Sequence, residues 1–186
     1  MKETEWAAMV AEWLDEELSR YRVVAGDKLI YANEIVEYHE DDVLYHEMKY
    51  ETDIIIYEQV SKEAWKPRVV IETKVDSVNT HDAITYSQKA STHKYVHPYL
   101  RYGIFLGHRG HYPLPGRLFR HGAYFDFMLS WQDYEPSDNE WKTLVKLLKK
   151  EIAASKKLED MLFNSRGHDR KHYHVLHKPL ITKNIV

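Results

Sequence analysis

Two short runs of branched apolar residues, Ile54-Ile55-Ile56 and Val69-Val70-Ile71, read as β-strands, and each is bounded by charge. Asp53 stands immediately before the first; Glu72 and Lys74 follow the second with Thr73 between them. Side chains alternate along a strand, so Glu72 and Lys74 project to one side and Thr73 points away. A hairpin between the two runs brings Asp53 to join them. Acidic and basic side chains are almost never fully buried without a partner, so three of them converging beside the core of a sheet call for a chemical explanation.

The flanking segments supply the rest of an α/β domain. Trp6, Val10, Trp13, Leu14 and Leu18 recur at helical spacing and predict an amphipathic helix over about Glu5 to Arg20. The stretches YRVVAGDKLIY, NEIVEYHEDDVLY, MKYETDIIIYEQV and PRVVIETKV, divided by Gly26-Asp27 and Glu40-Asp41-Asp42, predict three or four sequential strands, mostly joined as hairpins. A helix with small residues on one face (Ala83, Ser87, Ala90, Ser91) follows, with Thr80 as its cap and Pro98 at its end. RYGIFLGH and AYFDFMLSW predict two further strands around a loop, HRGHYPLPGR, from His108 to Arg117. Ser137 and Glu140 form a capping box that opens a long helix. The expected architecture is a mixed central β-sheet flanked by α-helices, one domain over residues 1–163, followed by a basic, histidine-rich tail over 164–186.

Two carboxylates suit a hard divalent cation, with water completing its shell, and such an ion acidifies water so that hydroxide is available near neutral pH. A lysine two residues on can orient or deprotonate that water and offset charge in a phosphoryl transition state. The chain has no cysteine, which removes thiolate sites and disulfides and leaves carboxylate, carbonyl, water or histidine as ligands. Phosphodiester hydrolysis with Mg²⁺, or Mn²⁺ in its place, is the reaction class these residues fit.

The arrangement Asp53, Glu72-Thr73-Lys74 resembles the PD-(D/E)xK nuclease superfamily, the fold of many type II restriction endonucleases and archaeal junction resolvases. The resemblance spans roughly residues 5 to 130: a preceding helix, an antiparallel hairpin carrying the motif, then a helix and two strands. Thr52 stands where that family's pattern has a proline. The resemblance implies a restriction endonuclease-like core and a Mg²⁺-dependent DNA endonuclease, with Asp53 and Glu72 as metal ligands and Lys74 beside the attacking water. Members often add an acid from the first helix or strand, for which Glu34 and Glu17 are the candidates. Glu34 lies as far before Asp53 as Glu72 lies after it, and Glu17 falls within the arc of Trp6, Val10 and Trp13.

Nucleic-acid contacts are expected from Ser77, Thr80 and His81, at a helix start where free N–H groups favour phosphate, and from Gln88 and Lys89 farther along that helix. The net charge of −3 conceals an asymmetry: residues 1–60 carry 16 Asp/Glu against 5 Lys/Arg, residues 61–186 carry 13 against 21 and 10 of the 12 histidines. Local field, more than the total, attracts a polyanion. The tail histidines His168, His172, His174 and His177 match no structural zinc spacing. Without a long apolar run or a signal-peptide pattern, a cytoplasmic protein with no membrane association is expected. Since one site cuts one strand, a homodimer is the economical form for cutting both. Three other readings remain: an ordinary sheet whose exposed edge carries a Glu72–Lys74 ion pair, a catalytically inactive nucleic-acid-binding or partner module of the same fold, and an interaction protein rich in its 14 tyrosines.

Overall fold

A computed structural model describes residues 1–164 and 174–183. In chain order the elements are α1 (Glu3–Glu17), β1 (Arg22–Ala25), β2 (Lys28–Tyr38), β3 (Val43–Glu51), β4 (Ile54–Gln59), β5 (Trp65–Val75), α2 (Thr80–Val96), β6 (Arg101–Gly107), α3 (Gly116–His121), β7 (Phe127–Ser130) and α4 (Asp138–Phe163). Five strands form one sheet in the order β1-β4-β5-β6-β7. The β1/β4 and β4/β5 pairs are antiparallel, while β5/β6 and β6/β7 are parallel. The protein is therefore an α/β protein with a mixed sheet flanked by helices, as the pattern of elements predicts.

The period of two along β4 and β5 divides the core. Ile54, Ile56, Val69 and Ile71 face α1 and α4, packing with Trp6, Val10, Leu14, Phe105, Trp131, Leu144 and Leu148. Ile55 and Val70 face the other way, toward Leu29, Ala90, Leu100 and Tyr102. The small side chains Ala83, Ser87, Ala90 and Ser91 of α2 are all buried against that second face, so the helix lies close to the sheet.

Three local expectations need correction. The first helix starts earlier than its apolar stripe, because Glu5 reaches back to the Lys2 backbone N–H at 3.0 Å and closes the first turn. Asn79, not Thr80, caps α2: its side chain accepts from the Asp82 N–H at 2.8 Å, and the Asp82 carboxylate accepts from the Asn79 N–H at 2.9 Å. Five strands, not three or four, lie between Arg22 and Val75, and of the expected hairpins β2/β3 and β4/β5 form. β2 and β3 leave the sheet as a separate two-stranded ribbon, and β1 pairs past them with β4. From Asn33 onward β2 is exposed on both faces, since Glu34 and Glu37 interleave with Ile35, Val36 and Tyr38 and leave no uniform apolar face to bury. Register shifts after Ile30 and Ile35 mark where the ribbon twists away.

Candidate functional site

The antiparallel register sets Ile54 opposite Ile71, which places Asp53 and Glu72 as the next neighbours beyond that pair. Asp53 Oδ2 accepts two hydrogen bonds from Thr73, 2.6 Å from its backbone N–H and 3.0 Å from its hydroxyl. Thr73, pointing away from Glu72 and Lys74, thus orients the neighbouring carboxylate. Asp53 Oδ1 has no hydrogen-bond partner among the described residues.

Glu72 is fully buried, which overturns the reading of an ion pair on an exposed sheet edge. Its Oε1 accepts from the Tyr102 hydroxyl. The Lys89 ammonium, reaching down from α2, stands 2.9 Å from Oε1 and 3.2 Å from Oε2. Burial raises the pKa of Glu72; Lys89 and Tyr102 work against that rise and the nearby Asp53 charge adds to it. Two carboxylates that sense each other's charge are the electrostatic arrangement a divalent cation relieves.

Lys74 shares the α2 side of β5 with Glu72, as alternation requires, yet its ammonium pairs with Glu3 of α1 at 3.1 Å and lies 5.2 Å over the Tyr86 ring. Burial alone would lower its pKa, but bonding to Tyr86 and Glu3 outweighs burial and the net shift is upward. The side chain is a firmly held cation. The acid of the first helix that meets Lys74 is Glu3, whereas Glu17 pairs with Lys149 at 3.1 Å on the surface. Glu34 is also excluded from the cluster: it lies exposed on the ribbon opposite His46, five residues beyond the buried Leu29.

Of the expected phosphate contacts, only Lys89 enters the site. Thr80, His81 and Gln88 are exposed on α2, with His81 touching only Thr85 at 3.5 Å, and the helix start already holds the Asp82 carboxylate where an anion was expected. Ser77 is in a tight turn, its N–H donating to the Val75 carbonyl at 2.7 Å. His168 and His172 lie outside the described residues; His174 and His177 are exposed. Sequence reasoning missed Glu3, Tyr86 and Tyr102. Tyr86 and Lys89, three apart on α2, carried a readable signal, because residues at that spacing share a helix face.

Behind Glu72 lies an aromatic layer. Tyr102 stacks on His93 with centroids 5.7 Å apart, and His93 meets the stacked Tyr31–Tyr50 pair edge-on. His93 Nδ1 donates to the Ile30 carbonyl at 3.3 Å, and its buried Nε2 has no hydrogen-bond partner among the described residues. Burial lowers the His93 pKa from 6.5 to about 4, more than the Ile30 bond restores. A proton therefore binds the unfolded chain more tightly than the folded one. The corresponding stability is complete above pH 6.5 and is lost, on the order of 3 kcal/mol, as pH falls toward about 4. His97, its pKa also lowered by burial, adds in the same direction. Urea unfolding at pH 7.0 and at about pH 4.5 is expected to show a markedly smaller loss in His93→Gln than in the wild type; equal losses would show that His93 is not the acid-sensitive group.

Among the described residues, no group of three or more His, Asp or Glu side chains is arranged to hold a metal ion. Asp53 and Glu72 still fit one as a pair of hard oxygen donors: they are adjacent, coupled in charge, and Asp53 retains an open oxygen. No family model and no curated protein matches the chain. Fold and site together define an α/β protein whose mixed sheet carries a buried acid–lysine cluster at the ends of β4 and β5.

Proposed function

We propose that this protein is a divalent-metal-dependent endonuclease that hydrolyses DNA phosphodiester bonds, with a restriction endonuclease-like core. The observation that carries the reading is the adjacency of Asp53 to the fully buried Glu72, with two lysines, Lys74 and Lys89, at the same strand ends. Asp53 and Glu72 would hold Mg²⁺ or Mn²⁺, which would supply Lewis-acid activation of water and offset phosphate charge. Lys74, kept protonated by Glu3 and Tyr86, offsets charge on a non-bridging phosphate oxygen and does not serve as a base. Glu3 aims that ammonium, and Thr73 fixes Asp53. Water oxygen attacks phosphorus, its proton passes to solvent, and the P–O bond to the departing sugar oxygen breaks as that oxygen is protonated. Arg109, Arg117 and Arg120, in a stretch from His108 to Phe125 without any acid, supply positive charge for the DNA backbone. Two copies of the chain cut both strands.

The test is conversion of supercoiled plasmid in Mg²⁺ and in Mn²⁺, with chelator as control, for the wild type and Lys74→Ala. Metal-dependent nicking, slowed about a hundredfold or more by the substitution while DNA binding persists, is the expected result. Metal-independent cutting, or cutting insensitive to Lys74→Ala, would sink the assignment. One observation favours a second reading, an inactive nucleic-acid-binding or partner module that keeps the fold: both Glu72 oxygens already have protein partners. That module binds DNA with the same affinity whether or not Mn²⁺ is present, and shows no cleavage in either metal.

A further inference from the structure

The two lysines of the site have partners that the motif alone does not predict. Lys74, the lysine of the motif, is turned to Glu3 and Tyr86. The lysine that touches a candidate metal ligand is Lys89, seventeen residues away on α2. Its ammonium is fixed on three sides: by both Glu72 oxygens at 2.9 and 3.2 Å, by the Glu51 carbonyl at 2.7 Å, and by the Tyr50 ring face at 5.9 Å. The close packing of α2 through Ala83, Ser87 and Ala90 is what lets a side chain from that helix reach the strand. Glu72 has no solvent-accessible surface, and the side chains bonded to its oxygens are Tyr102 and Lys89. Tyr102 is fully buried; Lys89 retains 17% of its side-chain surface and is the partner on the solvent side.

We propose that Lys89 is the resident counter-ion of the metal site: its ammonium occupies Glu72 in the metal-free protein and must withdraw from that carboxylate when a divalent cation binds. This rests on the reading of Asp53 and Glu72 as the metal ligands. A buried carboxylate needs a compensating charge at every stage, and an ammonium and a divalent cation compete for the same two oxygens. Lys89 lets the fold form before metal arrives and weakens metal binding by the same interaction. Released from Glu72, its flexible stem leaves the ammonium at the rim of the site, where a phosphate is its natural partner. Metal entry and engagement of the nucleic acid are thereby coupled through one side chain.

The experiment is calorimetric titration of Mn²⁺, without nucleic acid, into the wild type, Lys89→Gln, Lys89→Arg, Asp53→Asn and Glu72→Gln, paired with thermal melts with and without Mn²⁺. Lys89→Gln keeps a hydrogen-bond donor for Glu72 but removes the charge. It is expected to bind Mn²⁺ about tenfold or more tightly than the wild type, to melt at lower temperature without metal, and to gain more from Mn²⁺. Lys89→Arg, which keeps the charge and folds with the buried acid still compensated, is expected to bind no more tightly than the wild type. Wild-type binding that Asp53→Asn and Glu72→Gln abolish, with Lys89→Gln equal to the wild type or weaker, would overturn the counter-ion role and leave the metal-site reading standing. Binding that survives both carboxylate substitutions, or no binding by the wild type and Lys89→Gln alike, would overturn the site reading and the counter-ion with it.

Discussion

Asp53→Asn is expected to slow plasmid nicking by about a thousandfold or more, equivalent to about 4 kcal/mol of transition-state stabilisation, without unfolding the protein. The carboxylate sits at the junction of two demands. Oδ2 is committed to the Thr73 N–H and hydroxyl, so it comes to the site already oriented, and Oδ1 is left for a ligand. An asparagine placed with its carbonyl oxygen toward Thr73 keeps both of those hydrogen bonds and loses only the charge. That loss removes a hard anionic donor from the proposed metal site and, at the same time, relieves the repulsion that Asp53 exerts on the buried Glu72. The variant should melt at or above the wild-type temperature in chelator while failing to cut. Single-turnover nicking and melting curves on the same preparation check both halves. Cutting within tenfold of the wild type would remove Asp53 from the reaction, whatever the melting temperature shows.

The largest effect on stability belongs to the opposite face of the sheet. Trp6→Ala is expected to cost about 3–5 kcal/mol in urea unfolding. Trp6 is fully buried, its ring 4.7 Å from Phe105 and 6.0 Å from Trp131, and its indole N–H donates to the Tyr134 carbonyl at 2.9 Å. Gly107 is the complementary feature, since a β-carbon there would lie 2.5 Å from the indole. Removing the ring leaves a cavity bounded by a rigid strand and a residue with no side chain to fill it. The consequence reaches the site, because Trp6 anchors the first turn of α1, and that turn carries Glu3 to Lys74. A loss under about 1.5 kcal/mol would show that the surroundings close over the gap and that α1 is not held by this contact.

Much of the arrangement was legible in the residues because it follows from local periodicity. Alternation along Val69-Val70-Ile71 puts Glu72 and Lys74 on one side of β5, and the Ser137–Glu140 box opens α4 as read, with Glu140 accepting from the Ser137 N–H at 2.8 Å. The small face of α2 predicted close packing, and that face is buried. Where local patterns are ambiguous, contacts in the folded chain decide the outcome. Thr80 and Asn79 are both good capping residues, and only the reciprocal bond with Asp82 selects the second. β2 has a strand's composition, but composition does not say which sheet a strand joins.

The sequence by itself therefore determined the α/β order of elements, the two apolar strands and the shared face of Glu72 and Lys74, since each depends on residues a few positions apart. Tertiary structure alone decided which charges meet. Lys74 reaches Glu3 across 71 residues, Lys89 reaches Glu72 across 17, and Tyr102 reaches Glu72 across 30. Those pairings come from the parallel register of β5 with β6, the close seat of α2 and the entry point of α1. A repeat of 2.0 or 3.6 residues specifies a side chain's direction on its own element, and nothing about which element lies opposite.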